Sequence, residues 1–553
     1  MRLRNFARGG VFGSVLVTLF VGAITPMASA QSTSRPAQQT KAPPPGNRWG
    51  DQGDGTFINP VLPADYSDLD AIRVGDDYYA ISSTLHVSPG MVVLHSRDLV
   101  NWRHLGHIVP DVSVIGPEMN WDRMNRYGRG VWAGAIRHHE GKFWVYFASP
   151  DEGIFVTTAT DPAGPWEPLH LMWKVSGWND LCPFWDDDGQ GYLATTHFAR
   201  DPATDKSYNI HLFKMGKDNK SLDHASDRII HQSRGSEASK LYKIGGVYYH
   251  FYSEVRSEGR VVMMNRSRSL DGPWETKQLN HASRIDKNPN QGGLIELPSG
   301  EWWFVTHQGQ GDWEGRAMCL LPVTWIEGWP IIGEPGADGI GNMVWQAKKP
   351  IDAGPPVYPA TDDDFSKDKL GSQWEWNHQP RADKWSLTER PGFVRLHAVA
   401  QRKAGDFFKT PNVLSQRAWR TSGCTATAKL DLTGMADGQH VGMVHFARSF
   451  GSLGVVQAGG RKTIEYVVDG KATAGPEITA TDLWLRSSWD GDGQCTFAYS
   501  TDGTTFTPFG ETYKLSWGRY RGDRCGIYSY NNDGERGHVD VDVFTLDRFA
   551  GKK

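Results

Sequence analysis

At 553 residues and a formal net charge of −4, the chain is too long for one ordinary hydrophobic core and has no basic block of the kind that nucleic-acid binding needs. Its five cysteines, Cys182, Cys319, Cys424, Cys495 and Cys525, are too scattered for a disulfide scaffold or a zinc site. They read as small buried apolar residues, with one bridge left open in the C-terminal half. The excess is aromatic, with 23 Trp, 23 Phe and 18 Tyr beside 62 Gly and 31 Pro, a balance of strand formers and turn formers that predicts a mostly β protein.

The first thirty residues carry Arg2, Arg4 and Arg8, then the apolar run "VFGSVLVTLFVGAI", then "MASA", in which Ala28 and Ala30 meet the small-residue rule of a secretory cleavage site. A signal peptide over 1–30 is expected, with a mature periplasmic or secreted chain that starts at Gln31 and has no membrane segment. The apolar run is shorter than the roughly 20 residues of a membrane anchor. Residues 31–57, opening with the polar, Pro-rich "QSTSRPAQQTKAPPPGNRWG", read as an N-terminal tether.

Five similar units follow: "AIRVGDDYYAISS" from Ala71, "AIRHHEGKFWVYFAS" from Ala135, "PFWDDDGQGYLATTH" from Pro183, "KLYKIGGVYYHFYSE" from Lys240 and "LIELPSGEWWFVTHQ" from Leu294. Each is a strand, a Gly/Asp turn and an aromatic strand, which is hairpin punctuation. Three are followed by a second shared phrase, Ser96-Arg97-Asp98 leading to Trp102, Thr160-Asp161 to Trp166, and Ser269-Leu270-Asp271 to Trp274, so the unit is a four-stranded sheet. Repeats of this length predict a five-bladed β-propeller over 58–350, against a rival sandwich of ordinary hairpins. A Pro-rich linker over 351–362 and a β-sandwich over 363–553, read from short alternating strands and turns such as "NNDGERG", complete an all-β chain.

If the blades are equivalent, the residue three places before each unit start faces the same part of the central channel. That offset selects Asp68, Trp132, Asp180, Glu237 and Gln291. Each carboxylate taken alone also fits a turn or a solvated loop, but turn formers need not fall in phase with a repeat. Crowded carboxylates cannot all ionise cheaply, which separates an acid from a base at neutral pH. That is glycosidase chemistry, and Trp132 offers a sugar ring an apolar face.

Five segments, "NPVLPADYSDLDAIRVGDDYYAISSTLHVSPGMVVLHSRDLVNW" (59–102), "VWAGAIRHHEGKFWVYFA" (131–148), "WNDLCPFWDDDGQGYLA" (178–194), "SEASKLYK" (236–243) and "EGRAMCLLPVTWIEGWP" (314–330), resemble glycoside hydrolase family 43. The segment "DDFSKDKLGSQWEWNHQPRADKWSLTERPGFVRL" (363–396) resembles the concanavalin-like C-terminal domain that accompanies many of its β-xylosidases. The resemblance implies an inverting β-xylosidase or α-L-arabinofuranosidase that takes an oligosaccharide. Asp68 would be the general base, Glu237 the general acid and Asp180 the carboxylate that orients the acid and raises its pKa. Arg316, Trp132, His86 and Gln291 would contact substrate. The family needs no cofactor for this chemistry, but often holds calcium in the channel, and His307 is the residue that would touch it. The sequence departs from the family pattern at Ser67 and Leu69, at Gly134 and at Ala238-Ser239, which leaves the sugar open. Another linkage of the same family and a non-catalytic carbohydrate-binding propeller are the alternatives, and the oligomeric state stays open.

Overall fold

The computed structural model describes residues 49–198, 208–282 and 289–549, so the expected signal peptide and tether residues 31–48 lie outside the described residues. Helix among them is limited to four short 3-10 turns, and everything else that is regular is strand.

The five hairpins found in the sequence are the inner halves of five blades, each inner strand paired to the next in chain order. Blade I runs Asp70–Val74, Asp77–Ser82, Gly90–Ser96 and Trp102–Val109, and blade II runs Gly134–His139, Lys142–Ser149, Gly153–Ala159 and His170–Trp173. Blade III runs Trp178–Trp185, Gly191–His197, Tyr208–Met215 and Leu222–Ser233, and blade IV runs Glu237–Ile244, Val247–Arg256, Gly259–Ser267 and Glu275–Asn280. Blade V runs Pro289–Glu296, Trp302–Gln308 and Ala317–Ile326, the last of which also pairs with Trp329–Ile332; the strand that completes it is Leu62–Asp65, from before blade I. That strand joins the two ends of the repeat and closes the ring. The five inner strands neighbour one another in turn around the axis.

The C-terminal region is a sandwich of a seven-stranded and an eight-stranded sheet. Strands such as Cys424–Asp431 and Asp482–Trp489 bury every second residue, the pattern of sheets packed face to face.

One continuous hydrophobic core joins the two bodies, running from Trp49 and Phe57 through Leu62, Tyr66 and Trp102 to Trp374, Trp419, Val541 and Phe544. One expectation is corrected by it. Residues 49–57 are part of the folded body and not of a tether: Trp49 packs 5.3 Å from Trp419, and Thr56–Ile58 pairs with Gln346–Lys348. The linker 351–362 is mostly exposed and touches the body where the Val357 amide donates to Asn101 (2.9 Å) and where the Tyr358 ring lies tilted 5.1 Å from that of Trp49. The bridge left open in the C-terminal half is absent as well, since Cys424, Cys495 and Cys525 are buried free thiols.

Candidate active site

The inner strands of blades III, IV and V each break register at the offset picked out in the sequence, between Asn179 and Cys182, between Glu237 and Lys240, and between Pro289 and Gly292. A bulge there turns a side chain that would point along the sheet toward the axis. Backbone strain collects at the same level. Asp68 (φ 55), Asp180 (φ 53) and Ala238 (φ 68) are all left-handed, a conformation that non-glycine residues hold only where the surroundings over-determine it.

Asp180 is the most enclosed of the three carboxylates, at 3% exposure. Asn179 Nδ2 donates to its Oδ1 (2.9 Å) and the Ala238 amide to its Oδ2 (2.6 Å), so it is tied to the backbone beside Glu237. Burial, and after it the negative charge of Glu237, push its carboxyl up to about 7. Glu237 opens the inner strand of blade IV with 25% of its side chain exposed, and Arg260 lies 3.1 Å from its Oε1. Neighbours of opposite sign, Asp180 and Arg260, therefore flank it.

Asp68 stands in the turn before blade I, its oxygens held by the Ser83 hydroxyl (2.6 Å) and by Arg316 Nη1 (2.8 Å). His307 Nε2 is 3.9 Å from Asp68 Oδ1. Its Nδ1 donates to the Gln308 carbonyl at 2.7 Å; burial, then the charge of Arg316, lower it to about 4, so the ring is neutral and Nε2 carries no proton.

Trp132 stands at the matching place in blade II. Its ring meets Tyr520 edge-on at 5.9 Å, and Tyr520 belongs to the sandwich. The loop 516–523 crosses to the propeller: Ser67 Oγ donates to the Tyr520 carbonyl (3.3 Å), and the Arg316 guanidinium lies 5.7 Å from the Tyr520 ring and 6.0 Å from that of Trp517. At 53% exposure Tyr520 presents its ring to solvent beside the carboxylates. Gly311 lets Trp517 in, since a Cβ there would stand 2.2 Å from the indole. The sequence reading missed this loop, although "SWGRYRGD" concentrates aromatic, basic and glycine residues in the signature of a contact loop.

Gln291 lines the channel wall, buried, with its Nε2 unpartnered. His86 is corrected. It has no exposed surface, accepts from the Gly128 amide (3.1 Å) and packs 4.4 Å from Tyr127 and 4.7 Å from His378 of the sandwich, which places it in the seam between the two bodies and away from a sugar. Among the described residues no cage of carboxylates surrounds the place of a calcium ion, whose oxygens would have to come from carbonyls, amides and water. Calcium takes six to eight oxygens, and among the described residues no three His, Cys, Asp or Glu side chains group around one point. His307 contributes one nitrogen, and the charge of buried Lys240 bears on it.

Residues 57–330 match the model of glycosyl hydrolases family 43, and residues 362–547 that of the β-xylosidase C-terminal concanavalin A-like domain. A β-xylosidase of Formosa agariphila is 39% identical over 545 residues, covering 90% of this chain and 91% of its own. The chain belongs to glycoside hydrolase family 43. A non-reducing end α-L-arabinofuranosidase of Bacteroides ovatus is 30% identical, with 70% of this chain and 73% of its own covered. The family 43 fold is also that of a xylan β-1,4-xylosidase of Bacillus halodurans, with a TM-score of 0.77 at 23% identity over 89% of this chain and 99% of that one. The protein is thus a glycoside hydrolase, an all-β propeller joined to a sandwich.

Proposed function

We propose that this family 43 hydrolase is an exported, exo-acting β-xylosidase that inverts the anomeric centre. The observation that carries the chemistry is Asp180, a buried carboxyl pushed up to about 7 against a second carboxyl. Such a pair holds a proton near neutrality that belongs to both groups. Glu237 is the more exposed member, so it is the one that meets substrate and donates this proton to the leaving oxygen. Asp180, anchored by the Ala238 amide, aims Glu237 and restrains it from losing the proton early. Asp68, gripped by Ser83 and Arg316, takes a proton from the water that attacks the sugar from the other side. An inverting pair stands roughly 6.5 to 9.5 Å apart to leave room for that water. Trp132 and Tyr520 supply the apolar wall for the ring, and the sandwich loop beside them favours a chain end over a mid-chain position.

The full-length similarity to a β-xylosidase supports xylose as the sugar, and the similarity to an arabinofuranosidase keeps that activity as the second reading. A panel of aryl β-xyloside, α-L-arabinofuranoside and β-galactoside, with Glu237→Gln as the control, tests the choice. The reading expects the highest kcat/KM on the xyloside; preference for the arabinofuranoside moves the assignment to the second reading. Export rests on the basic, apolar and small-residue order of the first thirty residues. It predicts that the mature N-terminus, read by mass spectrometry, is Gln31.

A further inference from the structure

The turn that carries Asp68 is gripped from the sandwich as well as from the propeller. Residues 65–68 lead from Leu62–Asp65, the strand that closes blade V, to blade I. Propeller groups hold both ends of it: Ser82 Oγ (2.8 Å) and the Ser83 amide (3.1 Å) donate to the Ser67 carbonyl, and the Arg316 amide donates to the Asp65 side chain at Oδ1 (3.2 Å). Its first carbonyl, that of Asp65, accepts instead from Arg417 Nε at 2.7 Å.

Arg417 ends the sandwich strand Leu414–Arg417 and is buried, its guanidinium 4.9 Å from the Tyr66 ring. Its Nη1 is 3.1 Å from Glu375 Oε1. Glu375 has no exposed surface and is also bonded by Arg524 and by His107 Nε2 (3.1 Å) of blade I. Burial alone would raise this carboxyl, but Arg417 and Arg524 hold it well below the usual range, so it stays a fixed anion that pins the guanidinium. A bidentate-capable, always charged arginine suits such a two-sided grip better than lysine.

We propose that Arg417 is a positioning residue for hydrolysis: clamped by Glu375, it fixes the Asp65 carbonyl and thereby the turn that aims the Asp68 carboxylate. The inference rests on Asp68 being the base. A displacement of about 1 Å in a reacting group is enough to cost on the order of 100-fold in rate. If the cluster only glued the two bodies together, the folded molecules would keep their turnover.

The test uses full-length Arg417→Met, Arg417→Lys and Glu375→Gln, with Asp68→Ala as control. Each is measured for melting, for calorimetric binding of xylose, and for kcat and KM on an aryl glycoside and an oligosaccharide that the wild type cleaves. Arg417→Met is expected to lower kcat about 10- to 100-fold on both substrates, because water must be activated whatever leaves, with KM and xylose affinity nearly unchanged. Arg417→Lys should keep most of the melting temperature and show an intermediate kcat, and Glu375→Gln should lower kcat in the same sense. The proposal is overturned by a folded variant with wild-type kcat, by kcat falling only in step with the number of xylose sites, or by failure of all three variants to fold, which assigns the cluster to the joint alone. An active Asp68→Ala removes the base assignment itself, whereas an inactive Asp68→Ala beside normal Arg417 variants removes the positioning role alone.

Discussion

Two buried carboxyls in this molecule have opposite fates. Glu375, in the sandwich, faces Arg417, Arg524 and His107 and is held well below the ordinary range in spite of its burial. Asp180, in the propeller, faces another carboxyl and is pushed up to about 7. The difference follows from architecture. Sandwich strands lie side by side, so a buried charge meets whatever the neighbouring strand supplies, and here that is its counter-ion. Propeller inner strands converge on one axis, so residues in phase with the repeat meet their own equivalents, and like charges are forced together. Satisfied buried charge here holds the frame around the site in place; opposed buried charge marks the reacting groups themselves.

The sharpest way to break the contrast is to remove the sandwich. Truncation after residue 350 would expose the shared core around Trp49, Tyr66 and Trp102, so the propeller is expected to lose soluble, cooperatively melting protein altogether, as judged by size exclusion and calorimetry. An isolated propeller that melts like the whole chain would show that the core is not shared in any energetic sense.

Next in size are the carboxylates themselves. Asp68→Ala should lower kcat/KM by about 10³- to 10⁴-fold on aryl and natural substrates alike, the upper part of the range for general catalysis. Glu237→Gln should lose about 10²- to 10⁴-fold on oligosaccharides, whose alkoxide leaves poorly, and far less on an aryl glycoside with an acidic phenol. Equal losses on both substrates in the Glu237 variant would transfer the role of acid to Asp180.

Asp180→Asn sharpens the comparison through pH. The negative charge that helps keep the proton on the pair is gone, so the alkaline limb of kcat/KM should move to lower pH. Stability carries the same signature with a definite sign. A carboxyl raised in the folded state contributes stability below its unfolded value, and that contribution is lost as pH rises toward and through the folded value. Between pH 4 and about 7 the wild type should therefore lose melting temperature relative to Asp180→Asn measured under the same conditions, whatever the histidines common to both contribute. A wild-type profile parallel to that of the variant would contradict the opposed-charge reading.

Tyr520→Ala should have the smallest effect. Losing one exposed aromatic wall is expected to raise KM by about tenfold, near 1.4 kcal/mol, with kcat little changed. Steady-state kinetics on the aryl glycoside reads this directly, and an unchanged KM would detach the sandwich loop from substrate.

The five hairpins were legible in the sequence because each carries a Gly/Asp turn between aromatic strands, and their phase, read together with the family resemblance, selected Asp68, Asp180 and Glu237 as one set. What escaped did so for physical reasons. The closing strand Leu62–Asp65 is four residues of "LPAD" without alternation, and its partner Ala317–Ile326 lies some 250 residues away. Segment 49–57 is polar and glycine-rich, so composition read it as tether, while its two aromatics, Trp49 and Phe57, carry it into the core. His86 looked like a loop residue near the site because nothing local shows that Tyr127 and His378 close over it. The contribution of loop 516–523 depends wholly on how the sandwich docks, which no periodicity within either region encodes.

The central claim is that three propeller carboxylates activate a water on one face of the sugar and protonate the leaving group on the other. Proton NMR of the first sugar released, followed before mutarotation, tests it most directly. The account predicts the anomer opposite to that of the substrate; a first-formed product with retained configuration would contradict it, because Asp68 would then be a nucleophile standing only about 5 to 5.5 Å from the acid.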